Sequence, residues 1–358
     1  MAVYPAGPPR FEMLTVSSDV AVRIHPSQFP RRVAAAMHAS LKARRMNHKF
    51  HYDTVRQTLR WLRVHTAYSP ACTDPAGTTL YSKAAIAAAT LLRNREDVDV
   101  ISLGSGGGQK DAHVLSALEA MHPGVRRRYV PVDVSAGLAL ISRDAALGVG
   151  VAAQDIVPYV MDLAEAPDWV AALNPVLSSH AARLVLFYGM LPNFIPGTTR
   201  DRLAALLRTG DALLVSANLA PGPDYPVGVE SIRPLYENDL TREWLLSVLQ
   251  DLGVDRGDAR VEFSVAPCPN ASGLLRIEAC AHFLRPTRLA YEDAVHAFEP
   301  GEKFQLFFSY RHTAERVARQ LAPAELVIEQ QWQNPTGDEG VFLITRKKGG
   351  NPERPSVS

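Results

Sequence analysis

Residues 98–110, VDVISLGSGGGQK, most constrain the fold of this 358-residue chain. An apolar run of strand length leads directly into three spaced glycines and the start of a helix. A run with no polar alternation is the mark of a strand buried on both faces. The glycines let the backbone turn with positive φ and let another group approach without a Cβ in the way. The same strand-then-helix pattern recurs downstream. Residues 127–133, RRYVPVD, predict a second strand, and Ala136 to Leu147 a helix. Tyr159 to Met161 reads as a short third strand. Residues 183–189 and 211–218 are further buried strands, separated by a helix over 200–208. Buried strands alternating with helices specify a parallel sheet with crossover helices, an α/β fold of the Rossmann-like kind.

After Asn218 the alternation stops. PGPDYPVG at 221–228 is a turn, and one long helix is predicted from Val229 to Leu252. Residues 260–265 and 274–284 read as antiparallel strands joined by PCPNASG, with another strand from Phe304 to Tyr310. A helix over 312–321 and strands over 326–331 and 341–348 end the chain. Upstream, residues 1–30 are a proline-rich arm, and Arg31 to Val64 is helical with its basic side chains on a solvated face. Thr66 to Thr79 has the Pro, Gly and Thr content of a loop, and Ala84 to Leu92 that of a buried helix. Two units are expected. Residues 86–221 with 311–348 form the Rossmann-like part, and 1–85 with 222–310 form a substrate-binding lid inserted in its second half.

Composition removes several classes of function. A formal net charge of +1 gives no reason to expect nucleic acid or a membrane surface as partner. No segment approaches the roughly 20 apolar residues that cross a bilayer, and the N-terminus has no export pattern. Three cysteines without C-x-x-C spacing fit a reducing cytoplasm. His65, His113, His282 and His312 have no ligand spacing, so no metal is expected. A small-molecule substrate and a monomer or homodimer are the remaining expectation.

The glycine cluster, with Gly104, Ser105, Gly106 and Lys110, sits where an open α/β sheet binds its ligand, outside the carboxyl ends of the strands. A helix N-terminus there presents unpaired N–H groups that suit a carboxylate or a phosphate. The spacing G-x-G-x-G differs from the dinucleotide G-x-G-x-x-G, and Lys110 lacks the P-loop spacer and the Ser or Thr that follows it. Asp133 ends the second strand, where it would meet ribose hydroxyls, and Asp162 in VMDLAE ends the next, where it would meet an adenine amino group. Helix capping is the alternative for both acids. Together they favour S-adenosylmethionine (SAM) as the cofactor, on a class I methyltransferase fold whose antiparallel ending the last helix and strands resemble.

Several stretches in common order resemble the histidine-specific SAM-dependent methyltransferases, which include the ergothioneine-pathway enzyme that trimethylates the histidine α-amino group. They are HYD (51–53), LGSGGGQK (103–110), YVPVDVS (129–135), LVLFYGMLPNF (184–194), GDALLVSANL (210–219), PLYEND (234–239), RIEA (276–279) and FEPGE…SYRHT (298–313). The resemblance implies a SAM site formed by Gly104, Ser105, Gly106, Lys110, Asp133, Asp162, Leu163 and Tyr188. It further implies that Tyr52, Asn193 and Tyr236 hold the head group of an amino acid, with a second tyrosine at Tyr68 or Tyr81. Taken singly, Tyr52 and Tyr236 also suit a half-buried core, and Asn193 a turn.

One departure bears on the substrate. Where the histidine enzymes have Thr-Glu-x-Ser, this chain has Leu306-Phe307-Phe308-Ser309. Phe307 cannot accept a hydrogen bond from an imidazole, although Ser309 remains. A pocket that loses a polar partner loses discrimination for the group it bonded. The resemblance therefore implies N-methylation of an amino acid or amine other than histidine. Two alternatives keep SAM: transfer of another carbon with release of methylthioadenosine, or binding without catalysis.

Overall fold

Apolar alternation decides which strand faces touch which helices. The computed structural model describes residues 19–270 and 273–347. Its strands are β1 (Arg23–Ile24), β2 (Asp97–Leu103), β3 (Arg126–Asp133), β4 (Tyr159–Val160), β5 (Ala182–Phe187), β6 (Ala212–Asn218), β7 (Ala259–Pro267), β8 (Leu275–Phe283), β9 (Thr287–Tyr291), β10 (Ala294–Phe298), β11 (Lys303–Tyr310), β12 (Leu326–Gln333) and β13 (Glu339–Arg346). Eight of them form one sheet in the order β1-β4-β3-β2-β5-β6-β13-β12. Neighbours are parallel from β1 through to β6, and β13 runs antiparallel to both β6 and β12. On β2, Val98 and Val100 belong to the core on one face, and Ile101 and Leu103 to the core on the other. Side chains two apart share a face, so one apolar run serves two helical layers. Each such side chain, fully buried, contributes about 1.5–3 kcal/mol.

The helices are α1 (Pro30–Lys42), α2 (Val55–Tyr68), α3 (Pro70–Thr73), α4 (Pro75–Leu91), α5 (Gln109–Met121), α6 (Ala136–Gly148), α7 (Trp169–Leu173), α8 (Arg200–Leu206), α9 (Tyr225–Ile232), α10 (Asp239–Asp251) and α11 (Ala314–Leu321). Helix α2 begins with a capping box. Thr54 accepts from the Gln57 backbone N–H at 3.2 Å, and the Gln57 side chain accepts from the Thr54 N–H at 3.1 Å. A cap of this kind is worth about 1 kcal/mol.

Between β6 and α11 the chain builds a second layer. Strands β11, β8 and β7 form an antiparallel sheet, and β9 pairs with β10 as a hairpin. Met37, Leu41, Met46 and Phe50 from the N-terminal segment share one apolar core with Trp244, Leu245, Phe304 and Leu306 of this insertion. Residues 75–85, grouped by sequence with the N-terminal helices, lie instead in α4. There Leu80, Tyr81 and Ala84 belong to the core of the main sheet.

Several expectations are corrected. Thr66 to Thr79 is helical, not a loop. Pro70 and Pro75 each occupy a first-turn position, where the missing N–H costs nothing, and the Asp74 carboxylate accepts the Ala76 N–H at 2.9 Å. Gly77 is needed because a β-carbon there would lie 2.1 Å from the Pro70 carbonyl oxygen. The helix expected from Val229 to Leu252 is two helices. A 3-10 turn with Pro234 near its start interrupts it, and Asn238 caps the second through the Thr241 N–H at 2.8 Å. The helical stretch from Arg31 to Val64 is also interrupted, between α1 and α2, by a 3-10 turn at His48–His51. Strand β1 and the β9–β10 hairpin had no counterpart in the sequence reading. Residues 1–18 of the expected arm, Ala271 and Ser272 of the PCPNASG turn, and Lys348 of the last strand lie outside the described residues. None of Cys72, Cys268 and Cys280 forms a disulfide among the described residues. No helix among the described residues is long and apolar enough to cross a membrane. No cluster of three or more His, Cys, Asp or Glu among them could hold a metal.

Candidate functional site

The loop after β2 adopts the conformation that its glycines permit. Gly104, Gly106 and Gly108 have φ of 77°, 57° and 73°, a region costly for any residue with a Cβ. A β-carbon would also lack room, lying 2.3 Å from Met190 Sδ at Gly104 and 2.8 Å from the Trp61 ring at Gly106. Asp133, at the end of β3, is held by this loop. Its carboxylate accepts the Gly106 N–H at 3.0 Å and the Ser135 N–H at 2.9 Å. Burial nonetheless pushes the Asp133 carboxyl up to about 6. The Ser105 hydroxyl accepts from Ser142 at 2.9 Å.

These groups open on a cavity of about 410 Å³ that runs along the carboxyl ends of the strands. Gly104, Ser105, Gly106, Lys110, Asp133, Asp162, Leu163 and Tyr188 all line it. Asp162 is more committed than the sequence suggested. One oxygen accepts the Ala164 and Glu165 N–H groups at 2.9 and 3.2 Å, a capping role, and the other lies 3.1 Å from the Lys49 ammonium. Lys49 is therefore a buried partner of the sheet edge, not part of a solvated face. The Lys110 ammonium donates to the Tyr81 hydroxyl at 2.8 Å and lies 3.5 Å from Glu339. Tyr188 Oη is buried in the wall without a partner.

The other end of the cavity draws on three regions. Tyr52 comes from the end of the 3-10 turn before α2, Asn193 from the turn after β5, and Tyr236 from the turn between α9 and α10. Asn193 Nδ2 donates to the Gly189 carbonyl at 3.3 Å, leaving Oδ1 as an acceptor. Tyr236 donates to Ser309 Oγ at 3.3 Å and accepts from Arg311 at 2.5 Å. Burial first, and then the charge of Asp133, raise the Tyr52 phenol well above its ordinary range.

Three residues expected at the substrate lie behind the cavity wall instead: Tyr81, Phe307 and Ser309. Tyr81 is buried against Glu339 and Lys110, as a support for the lysine. Ser309 is covered by Tyr236 and Asn218. The Phe307 ring stacks on His48 at 4.9 Å and meets the Trp244 ring edge-on at 5.7 Å. His48, not Phe307, therefore lines the cavity. His48 Nε2 accepts the Phe308 N–H at 3.3 Å, and burial lowers its pKa to about 3, so the ring is neutral at physiological pH. The sequence reading also missed Lys49, Trp61, Trp244 and Arg311.

The residues present fit SAM. They offer a cradle that any side chain at Gly104 or Gly106 would fill, an acid at the neighbouring strand end suited to a diol, and a buried phenol without a partner. The match to a protein family agrees. A family model described as a histidine-specific methyltransferase, SAM-dependent, matches residues 78–346. No curated protein matches the chain. Among solved structures, the chain is similar to the CcbJ methyltransferase from Streptomyces caelestis, at 13% identity over 74% of this chain and 95% of that one, with a TM-score of 0.36. It is similar to the 1,6-didemethyltoxoflavin-N1-methyltransferase of Burkholderia thailandensis, at 16% identity over 82% and 89%, with a TM-score of 0.39. It is also similar to the magnesium protoporphyrin IX methyltransferase from Synechocystis PCC 6803, at 11% identity over 84% and 98%, with a TM-score of 0.42. The family match takes in the glycine loop, Asp133, Asn193, Tyr236 and both closing strands, and the chain belongs to the histidine-specific, SAM-dependent methyltransferase family.

Proposed function

We propose that this enzyme N-methylates the amino group of an amino acid or related amine with an aromatic or apolar side chain, and that histidine is not its substrate. One observation carries the reading. Among the described residues, those that the N-terminal segment and residues 222–310 contribute to the cavity walls include no carboxylate. In their place are Tyr52, Trp61, Leu235, Tyr236 and Trp244, with the neutral His48 backed by Phe307. Without a carboxylate there to accept its N–H, an imidazole forgoes a charge-assisted hydrogen bond of about 1.5–3 kcal/mol, or roughly 10- to 150-fold in efficiency.

Bound SAM supplies the electrophilic methyl group. The chain's own work is positioning, which is worth roughly 7–11 kcal/mol when the reacting atoms are held in line. In this reading Asn193 Oδ1 and the remaining lone pair of Tyr236 Oη accept the N–H bonds of the amine and aim its lone pair at the glycine-loop end. Tyr52, its ionisation suppressed by burial, stays a phenol and serves as a hydrogen-bonding wall, not a base. His48 at about 3 and His65 at about 3 are poor proton acceptors. The amine therefore enters as the free base after losing its proton to water. The N-terminal segment and residues 222–310 act as the cover that keeps water out.

Steady-state turnover of histidine against tryptophan, tyrosine and phenylalanine tests this, with product analysis. S-adenosylhomocysteine should appear together with a methylated aromatic amino acid. Efficient trimethylation of histidine would sink the specificity, and release of methylthioadenosine would sink the methyl transfer.

A further inference from the structure

One hydrogen-bond donor on the cavity wall has its direction fixed by stacking and by a strand backbone. His48 opens the 3-10 turn at His48–His51, which Asn47 caps by accepting the Lys49 N–H at 3.1 Å. The His48 ring meets two successive residues of β11. It stacks on Phe307 at 4.9 Å and 20°, and it lies 4.4 Å from the Phe308 ring at 46°. A further contact selects the tautomer. His48 Nε2 lies 3.3 Å from the Phe308 backbone nitrogen, whose N–H can only donate. In a neutral imidazole one nitrogen accepts and the other carries the proton, so the proton is on Nδ1. Burial, and then His51, Arg45 and Arg276, oppose a second proton on the ring.

The Nδ1–H of His48 has no acceptor among the described residues. It is not sealed in the core as His51 Nδ1 is, and His48 is half-buried and lines the cavity. Neighbouring donors are committed or lie elsewhere. Trp244 gives its indole N–H to the His51 carbonyl at 3.0 Å, and Tyr236 gives its hydroxyl to Ser309 at 3.3 Å. Trp61 stands against Gly106, at the cofactor end. A fixed donor that opens on a largely apolar enclosure is penalised when a ligand covers it with hydrocarbon. It is satisfied when the ligand brings an acceptor.

We propose that His48 reads the side chain of the substrate through Nδ1–H, so that the preferred substrate has an aromatic ring bearing a hydrogen-bond acceptor, either a ring nitrogen or an oxygen. This rests on the reading of the cavity as an N-methylation site, and it names the side-chain feature that the site selects. A phenyl ring covers the N–H with hydrocarbon, and an indole brings a second donor. An imidazole can accept the bond, but its own N–H finds no carboxylate among the described residues of these walls. A pyridine nitrogen or an aryl ether oxygen satisfies His48 and brings no donor of its own.

The test measures binding to the S-adenosylhomocysteine-loaded enzyme by calorimetry at pH 8, where a pyridine is neutral. The probes are L-phenylalanine and the three L-pyridylalanine isomers, which carry the ring nitrogen at each position in turn. O-methyl-L-tyrosine and 4-ethyl-L-phenylalanine form a second pair of equal shape. Wild-type enzyme should bind at least one pyridylalanine, or the ether, roughly 5- to 150-fold more tightly than its hydrocarbon match, the penalty of a buried donor left unpaired. His48→Phe keeps a ring to stack on Phe307 and should bring that ratio close to one, with S-adenosylhomocysteine affinity unchanged. His48→Gln offers an amide oxygen to the Phe308 N–H and an N–H to the ligand, and should restore part of the ratio, which a purely structural histidine would not require. The proposal is overturned if wild-type enzyme binds every probe as tightly as its hydrocarbon match, a result that needs no variant to fold. It is also overturned if His48→Phe keeps the ratio or weakens all probes alike. Methylation of phenylalanine and the pyridylalanines with equal efficiency would remove the role of His48 and leave the N-methylation reading standing. A binding ratio that depends on His48, in an enzyme that methylates no amine, would keep the donor site and remove that reading.

Discussion

The two ends of the cavity are built from different kinds of bond. At the cofactor end, the two strand-end acids are tied to backbone N–H groups, beside the Lys49–Asp162 and Lys110–Glu339 pairs. Asp133 is held by the Gly106 and Ser135 N–H groups, and Asp162 by those of Ala164 and Glu165. At the acceptor end, side chains hold one another across long stretches of sequence. Arg311 bonds Tyr236, Tyr236 bonds Ser309, and His48 stacks on Phe307. Backbone donors persist whatever the neighbouring side chain, so these acids keep their hydrogen bonds when the side chains around them change. Phe307, on β11 behind the wall, reaches the cavity only through His48, so an exchange there acts on the acceptor wall indirectly. Fixed cofactor geometry and an adjustable acceptor wall therefore coexist in one pocket.

The largest effect that would sharpen this comparison is at Gly106. Gly106→Val adds a β-branched side chain where φ is 57° and where a β-carbon would already lie 2.8 Å from the Trp61 ring. Strain of about 1–3 kcal/mol adds to the clash, and S-adenosylhomocysteine binding should become undetectable by calorimetry in a protein with native circular dichroism. Retained affinity would mean that the cradle is not the cofactor site.

Asp133→Ala should have the next largest effect. Loss of a charged acceptor costs about 1.5–3 kcal/mol, so S-adenosylhomocysteine affinity should fall roughly 10- to 150-fold. If Arg311→Gln lowers that affinity equally, the two ends are not separable and the comparison fails.

The smallest effect is with pH. Burial holds the Asp133 carboxyl at about 6, above its ordinary value of 3.8, so the protonated form is favoured in the fold and dominates below about pH 6. Hydroxyl donors need the carboxylate. S-adenosylhomocysteine affinity should therefore be highest above pH 7 and fall by about tenfold by pH 5, as expected for one group titrating near 6. Asp133→Asn should flatten the profile. On stability the same group acts with the opposite sign: its contribution is fully present below the unfolded carboxylate value and is lost as pH rises through about 6. His48, lowered to about 3, loses its contribution as pH falls below 6.5. Affinity measured at a protein concentration and temperature where the fold is intact separates the two.

The sequence by itself determined the sheet, the glycine loop and Asp133. Each is a local fact: an apolar run fixes a buried strand, three glycines fix a turn, and the residue that ends the next parallel strand must lie beside that turn. The family resemblance added Asn193 and Tyr236, which the structure brings to one cavity. Only the tertiary structure decided that Thr66 to Thr79 is helical, since its prolines read equally well as loop breakers or as helix starts. Only packing buried Lys49 against Asp162, 113 positions apart by their numbering, placed His48 in front of Phe307, and set Arg311 against Tyr236 in the cavity wall. Those outcomes depend on side chains meeting across two layers, and no periodicity or spacing along one chain encodes which of them will meet.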